Sequence, residues 1–166
     1  MNNTLIDNSS AQLSMLQALR DCLASEGILT VRIATGYWDI PGLALLADDI
    51  RSFLRKEGTK LLLLIGKDPY VYASQVRNPK YRDMDYPGDF IRTDLCELEP
   101  KTEFENAVRL LLEYCTKDDG SKIQIRIFRK NKDNATQFLH SKCYIFDGRD
   151  AGKGYGLIGS SNFTGK

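Results

Sequence analysis

The chain has 166 residues, enough for one domain with a real core, since about 68 to 70% of the unfolded surface is buried at this size. Its 23 basic and 22 acidic residues exclude a strongly basic nucleic-acid arm, although residues 117 to 166 carry ten Lys/Arg against five Asp, net +5, leaving −4 for residues 1 to 116. Cys22, Cys96, Cys115 and Cys143 form no C-x-x-C pair, a single histidine leaves too few ligands for an ordinary structural zinc site, and no run approaches the ~20 apolar residues of a membrane span. All four cysteines are read as reduced thiols. The opening M-N-N-T-L-I-D-N-S-S has neither a cationic start nor a signal-peptide core, so a cytoplasmic protein is expected.

In chain order, Ser9 or Ser10 is placed to cap a first helix whose stripe is Leu13, Leu16, Leu19 and Leu23, and Gly27 stops it. Residues 28 to 34, rich in β-branched side chains, predict a first strand buried on both faces. Asp39 is placed to cap a helix starting near Pro41, with Leu43, Leu46, Ile50, Phe53 and Leu54 as its buried stripe and Gly58 as its end. Residues 60 to 65 predict a second, helix-covered strand parallel to the first. Tyr37 and Trp38 follow the first strand, at the end where open α/β sheets place ligands. A base-stacking or lid role is one reading and cover of the core the other, and a large aromatic at a strand exit more often covers the core.

Residues 67 to 99 have no sustained period; tyrosines at 70, 72, 81 and 86 interleave with Arg and Lys, which fits a single-strand stacking surface or a loop that pads the fold. Thr102 can cap a helix with Phe104, Val108, Leu111, Leu112 and Cys115 facing inward. Ile123, Ile125 and Ile127 alternate with more polar neighbours in a third strand, and Arg129, Lys130 and Lys132 form a basic turn after it. The order helix, β, α, β, insertion, α, β, β, β predicts one mixed α/β domain.

The last two strands carry the chemistry. In F-L-H-S-K-C-Y-I-F-D, strand alternation sets His140 and Lys142 on one face. Gly159-Ser160-Ser161-Asn162 closes a second apolar run, residues 155 to 158, and alternation there pairs Ser160 with Asn162. Imidazole, ammonium, hydroxyl and carboxamide together suit a tetrahedral phosphate: one group attacks phosphorus and the others hold its non-bridging oxygens.

H-x-K-x4-D fits His140, Lys142 and Asp147, and G-S-x-N fits Gly159, Ser160 and Asn162, so the segment resembles the signature of the phospholipase D superfamily. The eleven residues between Asp147 and Gly159 exceed the family's usual interval, and residues 149 to 153 read as a surface hairpin loop. The resemblance implies a phospholipase D-like mixed sheet flanked by helices. It also implies a metal-independent, cofactor-free phosphodiesterase: His140 as nucleophile, Lys142 and Asn162 on phosphate oxygens, Ser160 in support and Asp147 in a mainly structural part. Because the family uses a second histidine as acid, a homodimer through the motif face is expected.

The strings I-A-T-G-Y-W-D-I-P-G-L-A-L-L and L-L-L-L-I-G resemble the phospholipase D-like domain ahead of a bacterial superfamily-two helicase motor, or of related restriction-type nucleases. On that resemblance residues 1 to 166 are an N-terminal piece of a longer polypeptide whose ATP-binding motor lies further on. The substrate is then nucleic acid, DNA first, with Arg129, Lys130, Lys132, Tyr37 and Trp38 as candidate contacts. A non-catalytic DNA-binding or dimerisation module beside a helicase is the alternative, and a phospholipid or small phosphodiester hydrolase a further one.

Overall fold

The structure, a computed structural model, describes residues 6, 8–66, 102–115, 120–128, 139–148, 154–160, 162 and 163. The first helix, α1 (Met15–Ala24), is capped by Ser14, whose side chain accepts from the Gln17 N–H at 3.1 Å. Ser9 and Ser10 precede that cap, because Asn8, at φ 59°, turns the chain and its Oδ1 takes the Met15 N–H at 2.9 Å. The start shifts the buried stripe to Leu19, Cys22 and Leu23, and leaves Leu13 exposed. Gly27 follows at φ 84°, as a helix stop requires.

Strand β1 is Ile28–Thr35. Asp39 then caps α2 (Ile40–Ala44) by accepting from the Gly42 N–H at 2.7 Å. The single helix expected here is two, since a turn at Leu45 and Leu46 separates α2 from α3 (Ala47–Leu54). Arg20 of α1 makes that break tolerable. Its guanidinium donates to the freed Leu45 carbonyl at 3.2 Å and to Asp49 at 3.3 Å. Leu43, Leu46, Ile50, Phe53 and Leu54 are all buried, as their spacing predicts.

Strand β2 (Lys60–Ile65) pairs parallel to β1, and β3 (Ile123–Ile127) pairs parallel to β2. Between them lies α4 (Thr102–Tyr114). Its buried residues are Ala107 and Leu110, with Phe104, Leu111 and Tyr114 partly covered, whereas Leu112 is 75% exposed and Cys115 is exposed. The inward stripe expected through Leu112 and Cys115 is therefore wrong at those two residues: five apolar residues between 107 and 112 give this helix more than one apolar face, and the one through Ala107 and Leu110 is buried. Strands β4 (Lys142–Gly148) and β5 (Gly154–Ile158) form an antiparallel hairpin, and β4 pairs antiparallel with β1. The described sheet therefore runs β3-β2-β1-β4-β5, a mixed α/β architecture.

Val31, Ile33, Leu61, Leu63, Ile123, Tyr144 and Phe146 fill the core side of that sheet. The opposite side is wetter than expected for β1: Arg32 and Ile145 are exposed there and Leu62 and Leu64 half-buried. Arg32 and Asp147 explain the difference, because they form an ion pair across β1 and β4 that stays in water. Cys22, Cys115 and Cys143 are free thiols; Cys96 and the tyrosine-rich stretch 67 to 99 lie outside the described residues. Among the described residues no helix is long and apolar enough to cross a membrane.

Two core acids make stability pH-dependent. Burial, with the Asp21 carboxylate adding to it, pushes the Cys22 thiol from 9.0 up to about 11, and burial pushes the Tyr144 phenol from 10.0 up to about 12. Both hold their protons longer folded than unfolded, so their contribution is complete below pH 9 and is lost as pH rises through these raised values. Urea midpoints should stay level through neutral pH, fall above about pH 9, and fall less steeply in Tyr144→Phe. An equal alkaline fall in that variant would remove Tyr144 as a cause.

Candidate active site

The candidate site is built where β1 and β2 end together. Thr35 and Ile65 are register partners, so the next residues, Gly36 and Gly66, lie side by side, and Gly66 donates to the Thr35 carbonyl at 2.8 Å. Across this glycine floor runs the segment carrying Leu139 and His140. A Cβ at Gly66 would sit on the Leu139 carbonyl oxygen and 2.9 Å from Leu139 Cβ; one at Gly36 would be 3.2 Å from the His140 Cδ2. Hydrogen at Gly66 admits the crossing, and at Gly36 a Cβ would leave it little room. The Gly36 N–H holds it in place by donating to the Ser141 carbonyl at 2.8 Å.

His140 is exposed and lies just before β4, so strand alternation with Lys142 does not apply to it. The reason is the partner strand. In the β1–β4 register Thr35 faces Lys142, and past Gly36 the chain turns away through Tyr37 and Trp38 into the Asp39 cap, so β1 does not continue beside His140. Lys142 is 9% exposed, on the core side with Tyr144 and Phe146. Its Nζ reaches back beneath the crossing to donate to the His140 carbonyl at 3.4 Å. The ammonium thus meets the backbone of the residue that carries the exposed imidazole.

From the other strand of the hairpin, the chain leaves β5 through Gly159, which donates to the Lys142 carbonyl at 3.2 Å, and returns over β1. There the Asn162 Oδ1 accepts the Tyr37 N–H at 3.3 Å, and Trp38 bridges to Phe163. With its oxygen engaged, the Asn162 amide keeps its Nδ2 hydrogens as donors for a ligand. Ser160 is exposed beyond the end of β5, in a bend rather than on the strand. The structure thus brings His140, Lys142 and Asn162 to one end of the sheet.

Neither a protein-family model nor a curated protein matches the chain.

Asp147 is not part of this cluster. It lies five residues along β4 from Lys142, roughly 17 Å at strand rise and on the opposite face, where it pairs with Arg32. The longer connection between the two motifs does leave both strands intact, with Asp147 still paired to Gly154. Trp38 is buried among core residues, so it covers the core, while Tyr37 is half-buried and contributes its backbone N–H. Arg129, Lys130 and Lys132 lie outside the described residues. Among those described, no group of three or more His, Cys, Asp or Glu could hold a metal ion.

Gly36 and Gly66 were missed as site residues. The signal was present: T-G and I-G end two runs read as adjacent parallel strands, which places two side-chain-free positions together where ligands bind in open sheets.

Proposed function

We propose that the domain is a phospholipase D-type phosphodiesterase acting on nucleic acid, DNA first, through a covalent phosphohistidine at His140 and without a metal ion. The observation that carries this reading is the convergence of an exposed imidazole, a buried ammonium and an oriented carboxamide on one sheet end, from residues 140, 142 and 162. A phosphodiester held at this sheet end would have a nucleophile and a positive charge within one site, the combination that developing charge on equatorial oxygens requires.

In the first step a ring nitrogen of His140 forms a bond to phosphorus and the ester P–O bond breaks. The leaving oxygen takes a proton from a second histidine. In the second step that histidine removes a proton from water, the water oxygen attacks phosphorus, and the P–N bond breaks to restore His140. The chain has one histidine, so the acid is His140 of another copy, and the working form is a homodimer about a two-fold axis at the motif face. A helicase motor in the same polypeptide and a cytoplasmic setting belong to the same proposal.

Single- and double-stranded DNA and a chromogenic phosphodiester, incubated with the chain in excess EDTA, should be cleaved, and the active species should sediment as a dimer. Absence of cleavage on every nucleic acid tried would leave a binding or dimerisation module instead. Cleavage by a strict monomer would sink the shared-site mechanism.

A further inference from the structure

We infer that Thr35 is a positioning residue for the same site, acting through Asn162; the inference rests on the proposed phosphodiesterase reading. Thr35 is the last residue of β1 and is 0% exposed. Its hydroxyl donates to the Tyr37 carbonyl at 2.6 Å and accepts the Phe163 N–H at 3.2 Å. One buried oxygen therefore fixes two segments, the turn after β1 and the strand end that carries Asn162. Two further bonds join these segments, both from backbone N–H groups: Asp39 N–H to the Phe163 carbonyl at 3.4 Å, and Tyr37 N–H to Asn162 Oδ1 at 3.3 Å.

That last contact decides which end of the Asn162 amide faces a ligand. If the Tyr37 peptide tilts, Oδ1 loses its donor and the amide is free to turn an acceptor toward the phosphate oxygens, which repel it. Thr35 holds the Tyr37 peptide by its carbonyl and Phe163 by its N–H, so it sets both sides of the contact. It is also the cross-strand partner of Lys142. The same residue thus stands between the buried cation and the oriented amide, although it touches neither substrate nor reacting atoms.

Thr35→Val keeps the shape and removes the hydroxyl, leaving the buried Phe163 N–H without its acceptor; Thr35→Ser keeps the hydroxyl. In the full chain, with folding checked by circular dichroism, Thr35→Val should lower kcat for a chromogenic phosphodiester on the order of a hundredfold, with a smaller change in KM, and Thr35→Ser should restore most of it. The Asn162 side-chain amide resonances, assigned by their loss in Asn162→Asp, should shift in Thr35→Val and not in Thr35→Ser. Unmoved resonances in Thr35→Val would overturn the positioning role, as would unchanged kcat. If the wild-type chain cleaves no phosphodiester, the function reading fails, and the resonance comparison alone still decides whether Thr35 orients Asn162.

Discussion

Replacing His140 by alanine is expected to remove phosphodiester cleavage by a factor on the order of 10⁴ or more, with little effect on stability. The two halves of that expectation come from different observations. His140 is exposed and contributes nothing to the buried core, so its loss leaves no cavity. It is also the chain's one imidazole, so no neighbouring histidine can take over as nucleophile or acid. In a dimer the substitution removes both roles at once. Mixing His140→Ala with wild-type subunits should give heterodimers whose turnover is also lost, since each has one imidazole where the mechanism needs two. Turnover linear in the wild-type subunit fraction would point to a nucleophile and acid supplied within one chain.

The second large effect is expected far from any charged group. Gly66→Ala places a methyl on the Leu139 carbonyl oxygen, which is backbone and has no rotamer to yield. Either the segment carrying His140 lifts from the end of the sheet or β2 shifts against β1. Overpacking of this kind costs about 1 to 3 kcal/mol, and a displacement of the nucleophile by an ångström is worth on the order of a hundredfold in rate. Gly36→Ala is expected to do less, because its nearest neighbours, the imidazole edge at 3.2 Å and the Leu139 carbonyl oxygen at 3.3 Å, need give only a few tenths of an ångström. Urea midpoints and kcat measured on both variants should rank Gly66→Ala as the more damaging in each; the reverse order would mean that the crossing segment is not seated on Gly66.

Most of the sheet was legible because its strands are short, strongly patterned and ended by glycines or charges. Lys60–Ile65 and Ile123–Ile127 have the bounds that their apolar runs predict. Asp39 was legible as a cap because Pro41 follows at the first helical turn. The rotation of α4 was not, for its apolar residues exceed one face. The first strand's wet side was hidden because Arg32 looks the same in sequence whether or not Asp147, on another strand, is there to meet it.

At the site, local spacing singled out His140, Lys142 and Asn162, and the structure brings them to one end of the sheet by contacts other than strand alternation. Alternation places residues 140 and 142 together only while a partner strand continues, and β1 ends at Thr35. The contacts that replace it join Gly66 to Leu139 and Tyr37 to Asn162, pairs that no local period can register. They follow from the topology, in which β4 returns antiparallel beside β1 and brings both motifs to the end where β1 and β2 stop. Asp147, equally prominent in the motif, went the other way along the strand.

The most direct test of the account is to trap the covalent intermediate. The chain is mixed with a phosphodiester in EDTA, quenched in base, where phosphohistidine survives, and its peptides are weighed. The account predicts a phosphorylated or phosphodiester-linked peptide containing His140, formed during turnover and lost as substrate is exhausted. Turnover that proceeds with His140 unmodified at every time point, or with the adduct on another residue, would contradict it.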